Sequence, residues 1–123
     1  MNWDLKSDRP IYAQLVEQIE LRIVSGQYQA GERLPAVRDL AAQAEVNPNT
    51  MQKALAELER KGLVYTQRTS GRYITEDEQM ISNLKDLLAQ MQINEFLEKM
   101  SSLGFTKQET LRLIEHVMEG NAQ

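Results

Sequence analysis

Apolar residues recur every three or four positions in several stretches of this chain, which is the spacing of one face of an amphipathic helix. The first such stretch lies between Pro10 and Gly26. Proline suits the first position of a helix, because the N–H that it lacks would have no partner there, and a glycine after the last turn readily takes a left-handed conformation. We therefore predict a first helix that opens at Pro10, with an apolar stripe of Ile11, Leu15, Ile19 and Ile23.

Two shorter helices are predicted in the middle of the chain. One follows Leu34-Pro35, and its inward residues are Val37, Leu40 and Ala41. The other begins at Asn47-Pro48, since asparagine is a good N-cap and proline fits the first helical position, and it ends at Gly62. Residues 44–46 form a tight connection between them. The apolar stripe of the third helix consists of Met51, Ala54, Leu55 and Leu58.

A β-hairpin is indicated after the third helix. Residues 63–67 and 72–75 are β-prone, and the polar run 68–71 between them contains one glycine. Two short helices that are joined by a tight turn and followed by a hairpin make a winged helix-turn-helix.

Two more helices are predicted beyond the hairpin. Residues 75–78 have the composition of a capping box and should start a long helix, which Gly104 ends, and residues 106–109 form a second capping box. The apolar positions change phase near Gln92, so a bend or break there is one interpretation. The apolar positions of the long helix are Met80, Leu84, Leu87, Leu88 and Met91, followed by Ile93, Phe96, Leu97 and Met100. Those of the last helix are Leu111, Leu113, Ile114 and Val117.

The predicted fold class is mainly α with a small β-hairpin. We expect a winged helix-turn-helix domain over residues 1–75 and a helical dimerisation tail of two helices over residues 76–123. The long helix is expected to expose an apolar set that marks an interface between two copies of the chain. In the alternative, the last helix folds back and covers this set within one chain, and we expect both to contribute. The set consists of Leu84, Leu87, Leu88, Met91, Phe96 and Leu97.

Charge is unevenly distributed along the chain. The net charge is −4, which by itself argues against a nucleic-acid partner. However, residues 33–72 hold seven Lys and Arg against four Asp and Glu, whereas residues 76–123 hold four against nine. A basic middle suits phosphate, and an acidic tail is expected to point away from it.

Composition excludes several classes of protein. The chain has no cysteine, which rules out disulfides, zinc fingers and thiol catalysis. We find neither an apolar run long enough to span a bilayer nor a signal peptide, so we expect a cytoplasmic protein without a membrane partner. The single histidine, His116, lacks neighbours that would complete a metal site or a catalytic group. We therefore expect no catalytic, metal or cofactor site.

The outward face of the third helix carries short polar and basic side chains, which are Asn49, Gln52, Lys53 and the small Ala56. Asparagine and glutamine can bond adenine through two hydrogen bonds, and lysine can bond guanine or phosphate. Thr50 is placed to bond a phosphate beside backbone N–H groups at the helix start. On an arbitrary helix these residues would be an ordinary solvated face. The preceding short helix and the following hairpin favour a recognition helix.

Two further candidate contacts flank this helix. Arg38 lies on the second helix, away from its apolar stripe, where it either reaches DNA or pairs with Glu32 or Asp39. The hairpin tip is the second candidate, because arginine is attracted by the negative potential of the minor groove and glycine permits close backbone approach. The alternative is an ordinary surface turn. The tip residues are Arg68, Ser70, Gly71 and Arg72.

The chain resembles the GntR family of bacterial winged-helix regulators over residues 10–75. Its short tail resembles that of the YtrA-type branch, which carries two helices where longer members carry a large effector-binding domain. The resemblance rests on the runs Pro10-Ile11-Tyr12-Ala13-Gln14-Leu15, Leu34-Pro35-Ala36-Val37-Arg38-Asp39-Leu40-Ala41, Val46-Asn47-Pro48-Asn49-Thr50 and Leu58-Glu59-Arg60-Lys61-Gly62-Leu63-Val64, together with Gly26 and Gly31.

The resemblance implies a homodimer that binds a palindromic operator and usually represses transcription. It implies DNA contacts from Arg38, Pro48, Asn49, Thr50 and the wing glycine, Gly71.

Three positions depart from the family pattern. The wing usually reads Arg-Gly-x-Gly-Thr-Phe-Val, but here Thr69 replaces the first glycine, which implies a stiffer wing. Arg72 replaces the threonine, where it adds a phosphate contact or alters the fit to the minor groove. Ala36 stands where serine often caps the second helix, so that helix start is expected to fray slightly.

Two rival functions remain at this point. A winged helix can bind protein instead of DNA, which the acidic net charge favours and the polar recognition face disfavours. A ligand sensor is the second rival. The tail is too small to enclose a pocket in one chain, so a small-molecule effector of unknown identity would bind at the dimer interface.

Overall fold

The computed structural model describes residues 3–121, and the fold class expected from the sequence is confirmed. Within this range the chain forms five helices and one antiparallel sheet of two strands. The elements are α1 (Ile11–Val24), α2 (Val37–Ala44), α3 (Pro48–Arg60), β1 (Val64–Gln67), β2 (Gly71–Ile74), α4 (Glu78–Ser102) and α5 (Lys107–Asn121).

The chain divides into two compact units, and the division falls after Leu84, inside α4. We call them the N-terminal unit and the tail unit. Met80, Ile81 and Leu84, in the first turns of α4, pack against the core of the N-terminal unit. The domain boundary expected after Thr75 stays a prediction.

The core of the N-terminal unit lies where α1, α2 and β1 meet α3. The predicted stripes of α1 and α3 supply fully buried side chains, among them Leu15, Ile19, Met51 and Leu55. The position predicted for Pro10 was wrong by one residue. Pro10 is the N-cap of α1, with an extended ψ of 132°, because its carbonyl already accepts the first helical hydrogen bond from the Gln14 N–H.

The helix-turn-helix is closed by local capping. Ala36 precedes α2 and provides no side-chain cap, as expected. Glu45 follows α2 in the left-handed conformation, at φ 58°, which makes the connection short. The Asn47 side chain then accepts a hydrogen bond of 2.8 Å from the Asn49 N–H, with Pro48 at the first helical position. The predicted start of α3 is therefore confirmed.

The wing, residues 64–74, is a hairpin with a three-residue turn. Tyr65 pairs with Tyr73 and Gln67 with Gly71. A short segment that the sequence did not predict continues this sheet: Arg33 bridges to Tyr73, and the Leu34 N–H donates to the Arg72 carbonyl at 2.8 Å.

The start of α4 differs from the prediction. Thr75 does not cap the helix, because it is buried and its hydroxyl accepts a hydrogen bond of 3.1 Å from the Asp77 N–H, one residue before the helix starts. Asp77 caps it instead, accepting from the Met80 N–H at 3.1 Å, and the first helical residue is Glu78.

The interpretation that α4 breaks near Gln92 was also wrong, since the helix is continuous from Glu78 to Ser102. At 3.6 residues per turn, the two apolar sets predicted for this helix lie on opposite sides of it. One side carries Leu87 and Met91, and the other carries Ile93 and Phe96.

In the tail unit, helix α5 starts with the predicted capping box. The Thr106 N–H donates to the Glu109 carboxylate at 3.0 Å, and the Glu109 N–H donates to the Thr106 hydroxyl at 3.1 Å. Gly104 precedes this box at φ 95° and ends α4 as predicted. Over residues 3–121, the helices include none that is both long and apolar enough to cross a membrane.

Candidate nucleic-acid interface

The outward face of α3 is a polar ridge. Asn49, Gln52, Lys53 and Ala56 are exposed, whereas the apolar residues of the helix form the buried stripe on its other side. The same amphipathic pattern that packs α3 on the core thus presents amide and ammonium groups to solvent, at the positions predicted from the sequence.

The backbone at the start of α3 is less available than the sequence suggested. The Asn49 N–H is bonded to the Asn47 side chain, and the Thr50 N–H donates to the Asn47 carbonyl at 3.0 Å. Pro48 has no N–H. Thr50 itself is half-buried. Side chains, rather than backbone N–H groups, are therefore the groups that this end of α3 presents.

Lys53 is held in place by a residue from another helix. Its Nζ lies 3.9 Å from the centre of the Tyr12 ring on α1, a cation–π contact. The ring restrains the lysine, and no carboxylate of residues 3–121 forms an ion pair with it. Tyr12 was missed as a support, because nothing local in the sequence links α1 to α3.

Arg38 on α2 is exposed, and within the described range 3–121 its guanidinium has no hydrogen-bond or ion-pair partner. The alternative in which it pairs with Glu32 or Asp39 is not what the structure adopts. The Glu32 carboxylate instead accepts from the Gln29 N–H at 3.0 Å. Arg38 thus presents an unpaired guanidinium on the exposed surface of α2.

The tip of the wing carries an exposed arginine and a glycine with a positive φ. Arg68 is exposed in the turn, and Ser70 donates from its hydroxyl to the Gln67 amide oxygen at 3.2 Å. Gly71 has φ +117°, a conformation that side chains rarely adopt.

Arg72 is engaged within the chain. Its Nε lies 3.3 Å from the Glu59 carboxylate at the end of α3, and only 22% of its side chain is exposed. The same Glu59 oxygen also accepts a hydrogen bond from the Thr66 hydroxyl on β1. The role predicted for Arg72 as a DNA contact stays a prediction, and the structure places its charge next to a carboxylate.

Charges on the C-terminal part of α3 are paired in a similar way. Glu57 binds Arg60, and the hydrogen bond from that guanidinium lowers the pKa of Glu57. Lys61 lies 3.1 Å from the nearly buried carboxylate of Glu20. The paired charges at this end of α3 contrast with the cations of Lys53 and Arg38, which form no ion pair within the described residues.

The tail unit leaves much of its apolar surface uncovered. Leu87, Met91 and Phe96 from the predicted interface are 54%, 49% and 41% exposed, while Leu88 and Leu97 are half-buried. Leu84 differs from the expectation, because it packs on the core of the N-terminal unit. Several other apolar residues are also exposed, although the predicted interface did not contain them. They are Ile93, Leu103, Leu111, Val117 and Met118.

Comparison with known proteins agrees with this architecture. At 40% identity over 120 residues, the chain is similar to the HTH-type transcriptional regulator YhcF of Bacillus subtilis, covering 98% of this chain and 99% of the relative. It is 38% identical over 97 residues to the HTH-type transcriptional repressor YtrA of the same organism, covering 74% and 75%.

Solved structures give the same result. A GntR family transcriptional regulator from Listeria monocytogenes has 40% identity and a TM-score of 0.83, with 91% of this chain and 98% of that one covered. The DNA-binding domain of AraR, solved in complex with operator ORX1, has 29% identity and a TM-score of 0.53, covering 58% and 88%. The family model described as "Bacterial regulatory proteins, gntR family" matches residues 11–74. The chain belongs to the gntR family of bacterial regulatory proteins.

Proposed function

We propose that this protein is a homodimeric repressor that binds a palindromic operator through α3 and the wing. The observation that carries the proposal is the exposed ridge of Asn49, Gln52 and Lys53 on α3, together with the exposed guanidinium of Arg38 on α2. Support comes from the relative YtrA, which is named a repressor, and from the AraR domain, which was solved on its operator.

Each group on this surface has a distinct task in the proposed complex. Asn49 and Gln52 read base edges in the major groove, where an amide can bond adenine through two hydrogen bonds. Lys53 and Arg38 neutralise phosphates or bond guanine. Arg68 enters the adjacent minor groove with the tip of the wing, where the negative potential attracts its guanidinium.

Dimerisation supplies the second half of the operator contact. Exposed apolar side chains of the tail unit, such as Leu87 and Met91, favour burial against a second copy. Two-fold pairing would bring two α3 helices to successive major grooves, about 34 Å apart. The operator is then an inverted repeat, and its occupation obstructs RNA polymerase. The protein acts in the cytoplasm, where the operator lies, as a regulator and not as an enzyme.

The direct test is selection of duplexes from a random pool by the full-length protein, followed by mass measurement of the free and bound species. We expect an enriched inverted repeat, a free dimer, and two chains per duplex. A reporter promoter carrying the enriched site should lose expression when the protein is present. A monomer, or a pool without enrichment, would contradict the proposal.

The two rival functions have separate outcomes in this test. A protein-binding module would give no enrichment. A ligand sensor is the second rival, and it would show an operator affinity that changes with a small molecule. The sequence placed its effector at the dimer interface, whereas the groove that favours this rival, of about 620 Å³, lies between the N-terminal segment and the helix-turn-helix, lined by residues that include Trp3, Ile11, Val46 and Thr50. A small molecule there would sit beside the start of α3 and would alter operator affinity.

A further inference from the structure

The two faces of the wing hold their arginines in different electrostatic settings. Side chains alternate between the faces of a strand, so Arg72 shares a face with Ile74, two residues on. Ile74 is fully buried, and this inner face therefore turns toward the core and α3. The pairing of Thr66 with Arg72 brings both side chains to the same carboxylate, that of Glu59.

The outer face of the wing receives an arginine from outside the hairpin. Arg33 bridges to Tyr73, so its side chain joins the face that carries Tyr73 and Gly71. A Cβ built on Gly71 would lie 3.2 Å from Nε and 3.4 Å from Nη2 of Arg33. The guanidinium of Arg33 thus extends over Gly71, next to the turn at the tip of the wing.

Within the part of the chain that the structure describes, this guanidinium has no counter-charge. Arg33 is exposed, and among residues 3–121 its side chain makes neither an ion pair nor a hydrogen bond. Gly71 contributes no side chain that would screen it. A cation that is exposed, unpaired and laid along the backbone of the wing tip has the properties of a phosphate-binding group.

We infer that Arg33 is a further DNA contact, which binds a backbone phosphate beside the wing, while Arg72 serves to fasten the wing to α3. The inference rests on the proposed function, because it requires the tip of the wing to approach DNA. The sequence predicted that Arg72 supplies the positive charge for this contact. The structure instead favours Arg33, which is distant from Arg72 in the chain.

The salt dependence of binding tests the contact of Arg33. Each neutralised phosphate contributes about 0.9 to the slope of log K against log salt concentration, so Arg33→Gln should lower the slope by about 1.8 for a dimer. The matched control is Arg112→Gln, which removes the same charge from an exposed position on α5, a helix that carries none of the proposed DNA contacts, and it should keep the slope of the wild type. Arg33→Lys should keep the slope of the wild type.

The probes are the duplex that the wild-type protein enriches from a random pool and a duplex of shuffled sequence. A phosphate contact predicts the same loss of slope on both probes. Thermal unfolding and mass measurements confirm that each variant is folded and has the assembly state of the wild type. If Arg33→Gln does not fold, Arg33→Thr, a neutral side chain that suits a strand, takes its place.

The outcomes separate failure of the inference from failure of the proposed function. If the wild type enriches an operator and Arg33→Gln keeps its full slope, or loses affinity only on the enriched duplex, the phosphate contact is refuted and the proposed function stands. If the wild type itself binds neither duplex in a salt-dependent way, the proposed function fails first.

Discussion

The ammonium of Lys53 on α3 lies 3.9 Å from the centre of the Tyr12 ring on α1. A surface contact of this kind contributes about 0.5–1 kcal/mol. Because the ring positions the lysine on the proposed DNA-binding face, Tyr12→Leu should weaken operator binding by roughly two- to fivefold. Fluorescence anisotropy on a labelled operator duplex measures this loss.

The control for that prediction is Tyr12→Phe, which keeps the ring and should retain the affinity of the wild type. Equal weakening by both variants would mean that the hydroxyl of Tyr12, and not its ring, matters for binding. In that case the cation–π contact has no role in positioning Lys53.

Arg38 provides a second prediction, since its guanidinium is exposed and unpaired within the described residues. Loss of an arginine that contacts DNA costs about 1–3 kcal/mol, so Arg38→Ala should weaken operator binding by roughly 5- to 150-fold. Its Tm should stay that of the wild type. The matched control is Arg9→Ala. Arg9 lies ahead of α1 and pairs with Glu17 on that helix, so this variant should bind the operator with the affinity of the wild type. Normal binding by Arg38→Ala would remove this residue from the interface.

The capping box of α5 predicts a pH dependence. Hydrogen bonds from the backbone and the hydroxyl of Thr106 lower the pKa of Glu109. A carboxylate whose folded pKa lies below its unfolded value of about 4.3 stabilises the fold above that value, and the stabilisation is lost as the pH falls through the folded pKa. Glu109→Ala should therefore lower the Tm at pH 7 and converge with the wild type in acid.

Glu109→Gln separates charge from hydrogen bonding in this cap, because glutamine can also accept from the Thr106 N–H. It should retain part of the stability and lose the part of the pH dependence that Glu109 contributes. Thermal unfolding of the three proteins between about pH 3 and pH 7 measures this. Parallel curves for wild type and Glu109→Ala across that range would argue against a stabilising charge at this position.

Leu87 tests the proposed dimer. A carboxylate placed at this exposed apolar position would be desolvated in an interface, so Leu87→Asp should shift the protein toward monomer at a concentration where the wild type is dimeric. Light scattering coupled to gel filtration gives the mass.

The matched control is Leu87→Met. Methionine keeps an apolar side chain of similar volume at the same exposed position. This variant should therefore remain dimeric. A dimeric Leu87→Asp would place the interface elsewhere in the tail unit.

Local sequence signals located most of the fold, because they act over three or four residues. The Asn47 cap and the Thr106–Glu109 box both depend on neighbours in the chain, and the structure has both. The start of α4 was misplaced because Thr75 and Asp77 are both suitable caps, and Thr75 is held beside the hairpin by the hydrogen bond from its N–H to the Leu63 carbonyl.

The candidate site was predictable only in its local part. The polar ridge of α3 follows from the periodicity of its apolar stripe. The engagement of Arg72 by Glu59 and the placement of Arg33 beside Gly71 could not be predicted, because each joins segments that meet only in the folded chain. Two arginines that look alike in sequence therefore occupy different environments in the structure.

The central claim is that the exposed ridge of α3 reads base sequence, and comparative selection tests it most directly. The wild type and each of three single variants, Gln52→Ala, Asn49→Ala and Lys53→Ala, would be used to enrich duplexes from the same random pool. The account predicts an inverted repeat for the wild type, and for Gln52→Ala the same repeat with preference lost at one or two symmetric positions. An unchanged motif for Gln52→Ala, Asn49→Ala and Lys53→Ala alike would contradict it.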